Sequence, residues 1–515
     1  RSTRGTSSHQ HNPFVILADK DTTESTGECY SASFLYSGGF HAQAEVDQFN
    51  QTRLVIGIDD YDFSWKLKKG ESFSTPEVCL TYSADGFSKL SQTLHQAIVS
   101  NLIRSCWKDR VRPILVNNWE ATYFDFNKDN LIAIAKEAAE LNLDMLVLDD
   151  GWFGKRDDDF SGLGDWFVNE KKLCGTLSEL VKEVHDMGLS FGLWFEPEMI
   201  SEDSDLYRAH PDWALVIPGR QPIRSRSQLV LDMSREDVTD YLTERICDIV
   251  EKADIQYIKW DMNRSLMAAY SAKLPRDRQG ELRHRYVLGL YKVLEAVTQR
   301  FPELLLEGCS GGGGRFDAGM LYYCPQIWCS DNTDAIERLR IQYGTSFGYP
   351  MSSVSAHVSV CPNHQNHRVT PFKTRGICAM QGTFGYELDL SKMTDEEKKM
   401  AGEQIAFFKE HGRLFQFGDY YRLTSPFENR DYTVWEYAAQ DGSEACMSVV
   451  YTDMYANAAS EIVKWKGLDP KKVYQMQIDG EDAGNFSGAA LMHAGILLPL
   501  PEQNYDAFQI YLKAE

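Results

Sequence analysis

The sequence lacks the features that mark secreted, disulfide-rich or membrane-spanning proteins. No two of its 11 cysteines form a C-x-x-C pair, and an odd number scattered over 515 residues suits free thiols better than a disulfide framework. No apolar run is long enough to cross a bilayer, and no signal peptide opens the chain. We therefore expect a cytoplasmic protein with no membrane partner.

Positive charge is also scarce. The chain has 53 Lys and Arg against 75 Asp and Glu, which gives a formal net charge of −22. Such a surface repels phosphates, so the composition argues against nucleic acid as a partner and favours a neutral small molecule. Hydrophobic residues make up 43% of the chain, which is enough for a large core.

Changes in the periodicity of hydrophobic residues divide the chain into regions. Residues 1–90 alternate like β-strands, and a helical pattern over Phe87–Leu102 predicts a linker helix, with the linker placed at residues 91–111. The chain opens on RSTRGTSSHQHNPF without an initiator Met, so we expect residues 1–90 to be the last part of an N-terminal β-sandwich that is cut short. Short alternating strands return over 419–515 and predict a small C-terminal β-sandwich domain.

Between these regions, residues 112–418 alternate short apolar strands with longer helical segments. Eight strand–helix units predict an α/β protein with a (β/α)₈ TIM barrel. A doubly wound open sheet is the alternative, but no G-x-G-x-x-G follows an early strand. The predicted strands lie in PILVNNW, DMLVLDDGWF, LSFGLWFEPEM, LVLDMS, YIKWDMN, LLLEGCS, IWCSDNT and SSVSAHVSV.

Nearly every predicted barrel strand ends in polar residues. Active sites of this fold lie at the C-terminal ends of the strands, so these side chains should converge on one pocket. A solvated loop after each strand would explain one or two cases, but not the recurrence. The polar strand ends are Asn117, Asn118, Trp119 and Glu120; Asp149 and Asp150; Glu196 and Glu198; Asp232; Lys259, Asp261 and Asn263; Glu307 and Cys309; and Asp331, Asn332 and Asp334.

The stretch YIKWDMNR places charged groups at the end of an apolar strand. Strand alternation puts Lys259, Asp261 and Asn263 on one face. It puts Trp260 and Met262 on the other. A lysine beside Asp261 would keep this carboxylate ionised, as a nucleophile requires. A buried Lys–Asp pair with no catalytic role is the simpler alternative.

Two other motifs suggest a phosphate site and a metal site, but each lacks residues that such a site requires. The glycines of 311–314 have no G-K-[ST] ending, so a tight turn or a close backbone approach to a sugar is favoured over phosphate binding. His357, His364 and His367 have no matching cysteine or acidic set, so we predict no metal site and no cofactor. The acidic run 157–159 reads as a solvated loop near the pocket rim.

Several motifs resemble those of the α-galactosidases of glycoside hydrolase family 36. They are rich in Trp, Asp and Gly and fall in order from residue 4 to about 365, whereas the C-terminal domain fits by position more than by motif. The motifs are RGTSSHQHNPF, NNWEATYFDF, LDDGWFGKRDDD, GLWFEPEM, RSQLVLD, YIKWDMNR, EGCSGGGGRFD, CSDNTDA and CPNHQ.

The resemblance implies a retaining exo-α-galactosidase that acts on oligosaccharides such as melibiose or raffinose. The nucleophile would be Asp261 of KWDMN, and the general acid/base would be Asp331 of SDNTDA. They follow the fifth and seventh predicted strands and would face each other across a sugar at about 5–5.5 Å. The implied substrate contacts are Trp119, Asp149, Asp150, Arg226, Lys259, Trp260, Met262, Asn263, Cys309 and Gly311, together with both catalytic carboxylates.

The resemblance leaves related activities open. A galactosyl-transferring enzyme or an α-N-acetylgalactosaminidase would share the chemistry, although Cys309 resembles the galactose-type motif and places hydrolysis first. A non-catalytic sugar-binding protein is a further alternative, but every catalytic motif position is filled. The family also implies a homo-oligomer, a tetramer or a dimer, when the N-terminal domain is complete.

Overall fold

A closed parallel barrel is flanked by antiparallel sheets on both sides along the chain. The structure is a computed structural model and describes residues 1–7, 9–267, 269–457, 459 and 461–515. The strands are β1 (Phe14–Ala18), β2 (Cys29–Phe34), β3 (Phe40–Val46), β4 (Thr52–Ile58), β5 (Val78–Ser83), β6 (Leu115–Asn117), β7 (Met145–Leu148), β8 (Ser190–Phe195), β9 (Met199–Ile200), β10 (Leu229–Val230), β11 (Tyr257–Trp260), β12 (Leu305–Gly308), β13 (Gln326–Trp328), β14 (Val354–Ser359), β15 (Thr383–Glu387), β16 (Asp419–Arg422), β17 (Tyr432–Ala438), β18 (Glu444–Tyr451), β19 (Ile462–Val463), β20 (Val473–Ile478), β21 (Glu481–Ser487), β22 (Ile496–Leu497) and β23 (Ala507–Ala514).

The α-helices cover the barrel and connect it to the flanking sheets. In the described part of the chain, none is both long and apolar enough to span a membrane. They are α1 (Gly86–Ala97), α2 (Trp119–Thr122), α3 (Lys128–Glu140), α4 (Leu177–Asp186), α5 (Asp205–Ala209), α6 (Glu236–Ala253), α7 (Leu282–Arg300), α8 (Ala318–Leu321), α9 (Ala335–Thr345), α10 (Phe372–Ala379), α11 (Asp395–Phe417) and α12 (Gly488–His493).

The barrel closes in the order β11-β12-β13-β14-β15-β6-β7-β8, with all neighbours parallel. Its strands are buried on both faces, which explains why a strand such as β7, with the sequence MLVL, is apolar throughout. The predicted (β/α)₈ barrel is confirmed, and the open doubly wound sheet is wrong.

One predicted barrel strand is wrong, and one barrel strand was not predicted. The segment LVLDMS contributes only the two-residue β10, which pairs antiparallel with β9 outside the barrel. The eighth barrel strand is β15, which pairs with β14 and β6. Asp261 therefore follows the fourth barrel strand rather than the fifth, and Asp331 follows the sixth rather than the seventh.

The N-terminal region consists of the antiparallel sheet β1-β2-β5 and the hairpin β3-β4. The helix predicted over Phe87–Leu102 is present: it forms α1, continues as a π-helix over Ile98–Leu102, and is followed by a 3₁₀ turn over Cys106–Asp109. The limits proposed for the N-terminal domain and linker remain predictions.

The C-terminal region is built around the antiparallel sheet β16-β17-β18-β23-β20-β21, with a second small sheet formed by β19 and β22. A separate apolar core holds it together and includes the fully buried Trp465 and Tyr474. The long α11 leads into this sheet and starts with a capping box, in which Thr394 and Glu397 satisfy each other's backbone N–H groups.

One arginine joins the three regions. The buried guanidinium of Arg422, in β16, donates to both carboxylate oxygens of Glu24 at 2.9 Å. It also donates to Ser91 Oγ in α1 at 3.1 Å and to the Ser346 carbonyl after α9 at 3.2 Å. The N-terminal segment, the barrel and the C-terminal sheet therefore share one hydrogen-bond network.

Removing this guanidinium should destabilise the whole chain. Arg422→Ala removes both charged donors of the Glu24 carboxylate, which keeps only Ser88 Oγ at 2.8 Å, and should lower the free energy of unfolding by about 3 kcal/mol. Thermal denaturation should show a lower Tm. Lys399→Ala removes a side chain that is 78% exposed and serves as the control. Equal Tm values for Arg422→Ala and the control would contradict this role.

Candidate active site

The C-terminal ends of the barrel strands surround a cavity of about 210 Å³. This volume lies below the roughly 300–1,000 Å³ of pockets for drug-sized ligands, so the cavity suits one small polar ring. Nine of the predicted site residues line it: Trp119, Asp149, Asp150, Arg226, Lys259, Asp261, Asn263, Cys309 and Asp331. The structure thus brings together residues that span more than 200 positions of the sequence.

Asp261 lies directly after β11, and both of its carboxylate oxygens accept hydrogen bonds. Its Oδ1 atom accepts from the backbone N–H groups of Met262 at 2.8 Å and Gly311 at 3.2 Å. Its Oδ2 atom accepts from Asn263 Nδ2 at 2.7 Å and Trp194 Nε1 at 3.2 Å. These donors fix the carboxylate and stabilise its charged form.

Burial alone would raise the pKa of Asp261. The charge of Lys259 and the hydrogen bonds from Cys309 and Asn263 outweigh this effect and hold the pKa of Asp261 below its ordinary value. Asp261 is therefore an ionised carboxylate at neutral pH, in spite of its burial.

Asp331 is another carboxyl group of the cavity, and its environment is the opposite of that of Asp261. Burial and then the negative charge of Asp261 raise the pKa of Asp331 to about 6. Trp328 Nε1 donates to its Oδ1 atom at 3.0 Å. One cavity thus holds one carboxyl group stabilised as the anion and one that binds a proton more readily, the pattern expected for a nucleophile and an acid.

Lys259 and the aspartates after β7 form another part of the cavity wall. Asp149 Oδ2 accepts from Lys259 Nζ at 2.8 Å and from Asn117 Nδ2 at 2.7 Å. Burial alone would lower the pKa of Lys259, but the charges of Asp149 and Glu387 raise it well above its ordinary value. The ammonium group therefore stays charged inside the cavity wall.

Asp150 is paired with Arg156. Arg156 Nη2 donates to Asp150 Oδ2 at 2.8 Å, and both side chains are buried. Burial raises the pKa of Asp150 to about 6, in spite of the charge of Arg156. The acidic run 157–159 is more than a solvated loop, because Asp159 lies 3.6 Å from Arg156 and 3.8 Å from Arg226 at the rim.

Three predicted contacts are not among the residues that line the cavity. The Trp260 ring is fully buried, and its Nε1 atom donates to Glu198 Oε1 at 2.9 Å. Met262 and Gly311 act through their backbone N–H groups, which hold Asp261 as described above. Their roles as substrate contacts stay untested predictions. In the structure, Met262 and Gly311 hold Asp261, and Trp260 contacts Glu198.

The glycine run packs against the chain that carries Asp331. Gly312 has φ +82°, and a Cβ there would lie 2.6 Å from the backbone nitrogen of Asp331 and 2.8 Å from Cα of Ser330. A side chain at this position would push the two loops apart. The tight turn considered for this run is present, and its close approach is to the protein backbone of Ser330 and Asp331.

Three family models together match most of the chain. Residues 72–418 match the melibiase model, residues 1–68 the glycosyl hydrolase family 36 N-terminal domain, and residues 432–512 the family 36 C-terminal domain. The chain belongs to glycosyl hydrolase family 36. The resemblance seen in the sequence is confirmed.

Several relatives of this family are similar over nearly the whole chain. The α-galactosidase AgaA of Geobacillus stearothermophilus is 52% identical over all of this chain and 70% of its own length. The bifunctional α-galactosidase/sucrose kinase AgaSK of Mediterraneibacter gnavus is 54% identical over 99% of this chain, which spans 53% of that protein. The crystal structure of AgaA superposes on this chain with a TM-score of 0.98, and the superposition covers all of this chain and 71% of the AgaA chain.

Seven further residues line the cavity. The resemblance did not imply them as substrate contacts, although Glu120 was among the predicted polar strand ends. Glu387 ends β15, the strand that the sequence pattern did not reveal. Trp194 and Trp328 lie inside predicted strands, where an aromatic residue is also typical of a core. The full set is Glu120, Trp194, Trp328, Thr333, His364, Gln365 and Glu387.

Two of the three histidines considered as metal ligands contact different carboxylates. His357 Nδ1 is 3.2 Å from Glu387 Oε2, and His364 Nδ1 is 3.2 Å from Glu120 Oε1. Among the described residues, no group of three or more His, Cys, Asp or Glu side chains is arranged to hold a metal ion.

The two carboxyl groups should titrate as a coupled pair. Asp261→Asn removes the negative charge that raises the pKa of Asp331, so this pKa should fall from about 6 towards the ordinary aspartate range. Infrared difference spectroscopy of the carboxyl bands across a pH titration would measure it. Asp157→Asn, at the exposed end of the acidic run, should leave the titration unchanged. A pKa of Asp331 that does not move in Asp261→Asn would contradict the coupling.

Proposed function

We propose that the protein is a retaining exo-α-galactosidase that releases terminal α-linked galactose from oligosaccharides of the melibiose and raffinose type. The observation that carries the proposal is the pair Asp261 and Asp331 in one cavity, with pKa values shifted in opposite directions. Solved structures of AgaA variants with raffinose and with stachyose support this substrate class.

In the first step, Asp261 attacks the anomeric carbon and forms a glycosyl ester, while the bond to the leaving oxygen breaks. Asp331 gives its proton to that oxygen. In the second step, Asp331 takes a proton from water, which attacks the same carbon and releases Asp261. Two inversions leave the configuration of the sugar unchanged.

The electrostatics of the cavity suit both roles of Asp331. Before the reaction, the charge of Asp261 favours the protonated acid. Once Asp261 is esterified, that charge is lost, and the pKa of Asp331 should fall below about 6. The same carboxyl group is then ionised and ready to act as the base.

The remaining wall would recognise one galactose ring. The carboxylates of Asp149 and Asp150 can accept hydrogen bonds from sugar hydroxyls, and Lys259 can donate. Trp119 offers an apolar surface for the ring. A cavity of about 210 Å³ has room for one terminal unit, which supports exo rather than internal cleavage.

We also propose a cytoplasmic homo-oligomer, a tetramer or a dimer. All 11 cysteines are free thiols, which supports a reducing compartment. One face of the N-terminal sheet exposes Tyr30, Leu80 and Tyr82, and Leu80 is 76% exposed. Apolar faces of this kind are typical of contact surfaces.

Removal of the nucleophile should nearly abolish turnover. Asp261→Ala eliminates the covalent step and should lower kcat on an aryl α-galactoside by roughly a thousandfold or more. Added azide should enter the vacated space, restore part of the activity and give the β-configured galactosyl azide. Near-normal turnover by Asp261→Ala would show that the nucleophile is a different residue.

Loss of the acid/base should depend on the leaving group. Asp331→Ala should lower kcat/KM strongly for raffinose, whose sugar leaving group needs a proton, and should spare an aryl galactoside with a very acidic phenol. The alkaline limb of the pH–rate profile should flatten. Equal losses on both substrates would favour Asp334 instead, although Asp334 caps α9 by accepting from the N–H groups of Ile336 and Glu337.

A further inference from the structure

Glu120 is a buried carboxyl group of the cavity wall that the proposed mechanism does not use. It lies in α2, directly after the first barrel strand, and is 7% exposed. Its Oε1 atom accepts from Thr333 Oγ1 at 2.8 Å, and its Oε2 atom accepts from the Val360 N–H at 3.1 Å. His364 Nδ1 lies 3.2 Å from Oε1.

These partners belong to two loops. Thr333 follows Asp331 by two residues in the loop after β13, whereas Val360 and His364 lie in the loop after β14. Glu120 therefore joins the ends of three barrel strands, β6, β13 and β14, through a single side chain.

The same two loops are also joined next to the acid/base itself. Gln365 Nε2 donates to the backbone carbonyl of Asp331 at 2.9 Å. Ser359 Oγ donates to the carbonyl of Thr333 at 2.9 Å. The backbone position of Asp331 thus depends on how the loop after β14 is held, and Glu120 holds that loop and Thr333 at once.

The charge state of Glu120 fits a supporting role. Burial, followed by the negative charge of Glu387, raises the pKa of Glu120 to about 8. The group is therefore mostly protonated at neutral pH and adds little negative charge to the cavity. A neutral amide of the same shape could join the same two loops: its oxygen would accept from the Val360 N–H, and its NH₂ would donate to Thr333 Oγ1, which reverses the direction of that hydrogen bond.

We infer that Glu120 is a positioning residue for the general acid/base, because it holds the loop that carries Asp331 against the loop after β14. The inference rests on the proposed function, since it gives Glu120 a role in proton donation by Asp331. Without Glu120, Asp331 should stay in the cavity but lose its alignment with the leaving oxygen, whereas Asp261, on the fourth strand, should keep its place.

The test compares leaving groups at the glycosylation step. For Glu120→Ala, kcat/KM on raffinose should fall roughly tenfold or more, while kcat/KM on an aryl α-galactoside with a very acidic phenol should fall less than about threefold, because that substrate needs little proton donation. Glu120→Gln should restore most of the activity on raffinose. Thr333→Val, which removes one of the two bonds, should show the same selectivity to a smaller extent.

A matched control separates position from stability. Glu281 is also a fully buried glutamate that joins two segments, since it accepts from the Lys66 N–H at 3.0 Å and from Arg285 Nε at 2.8 Å, outside the cavity. Glu281→Ala should lower the Tm without preference for either substrate.

The outcomes are distinct. Selective loss in Glu120→Ala with recovery in Glu120→Gln supports the inference. Equal losses on both substrates, or no loss, would overturn it while leaving the proposed function intact. If Glu120→Ala does not fold, the selectivity of Thr333→Val decides in the same way. If the wild-type protein turns over neither galactoside, the proposed function fails and the inference fails with it.

Discussion

The chemistry of the cavity depends on a single ion pair, between Lys259 and Asp149. Buried carboxyl groups that share a site cannot all be ionised unless a positive charge lies among them. Lys259 supplies that charge, and its pKa is raised because Asp149 and Glu387 lie near it. Its field keeps Asp261 ionised, and the charge of Asp261 in turn favours the proton on Asp331. Lys259 lowers the pKa of both carboxyl groups, and the hydrogen bonds to Asp261 then set the two apart.

The barrel makes this arrangement rigid. Parallel strands end at one rim, so residues distant in sequence meet without long, flexible connections. Backbone groups add to the effect, because the N–H groups of Met262 and Gly311 point at Asp261. A side chain on Gly312 would collide with the backbone of Asp331, so the loops after β12 and β13 lie in contact. The cavity is therefore shaped by main chain as well as by side chains.

The sequence was sufficient to predict the barrel and most of the polar cavity wall, because polar strand ends recur in a regular order. It was insufficient for β15. Gly385 interrupts the apolar pattern of that strand, and it is needed because a Cβ there would lie 2.7 Å from Cδ2 of His357. The apolar segment LVLDMS looked more like a strand, yet it forms only the short β10. The missed strand hid Glu387, and the residues after β14 were hidden because loops carry no periodic signal.

The two catalytic carboxyl groups proposed here are supported in different ways. Asp261 follows β11 immediately, so the strand fixes its backbone, and neighbouring N–H groups fix its oxygens. Asp331 lies three residues beyond the end of β13, in a loop that no strand ladder holds. Contacts from other strand ends must replace the ladder, and Gln365 and, through Thr333, Glu120 supply them. A nucleophile needs one fixed position, whereas an acid/base must gain and lose a proton within the same geometry. Trp328 donates to only one oxygen of Asp331, and the backbone contacts hold the residue in place while its carboxyl group gains and loses the proton.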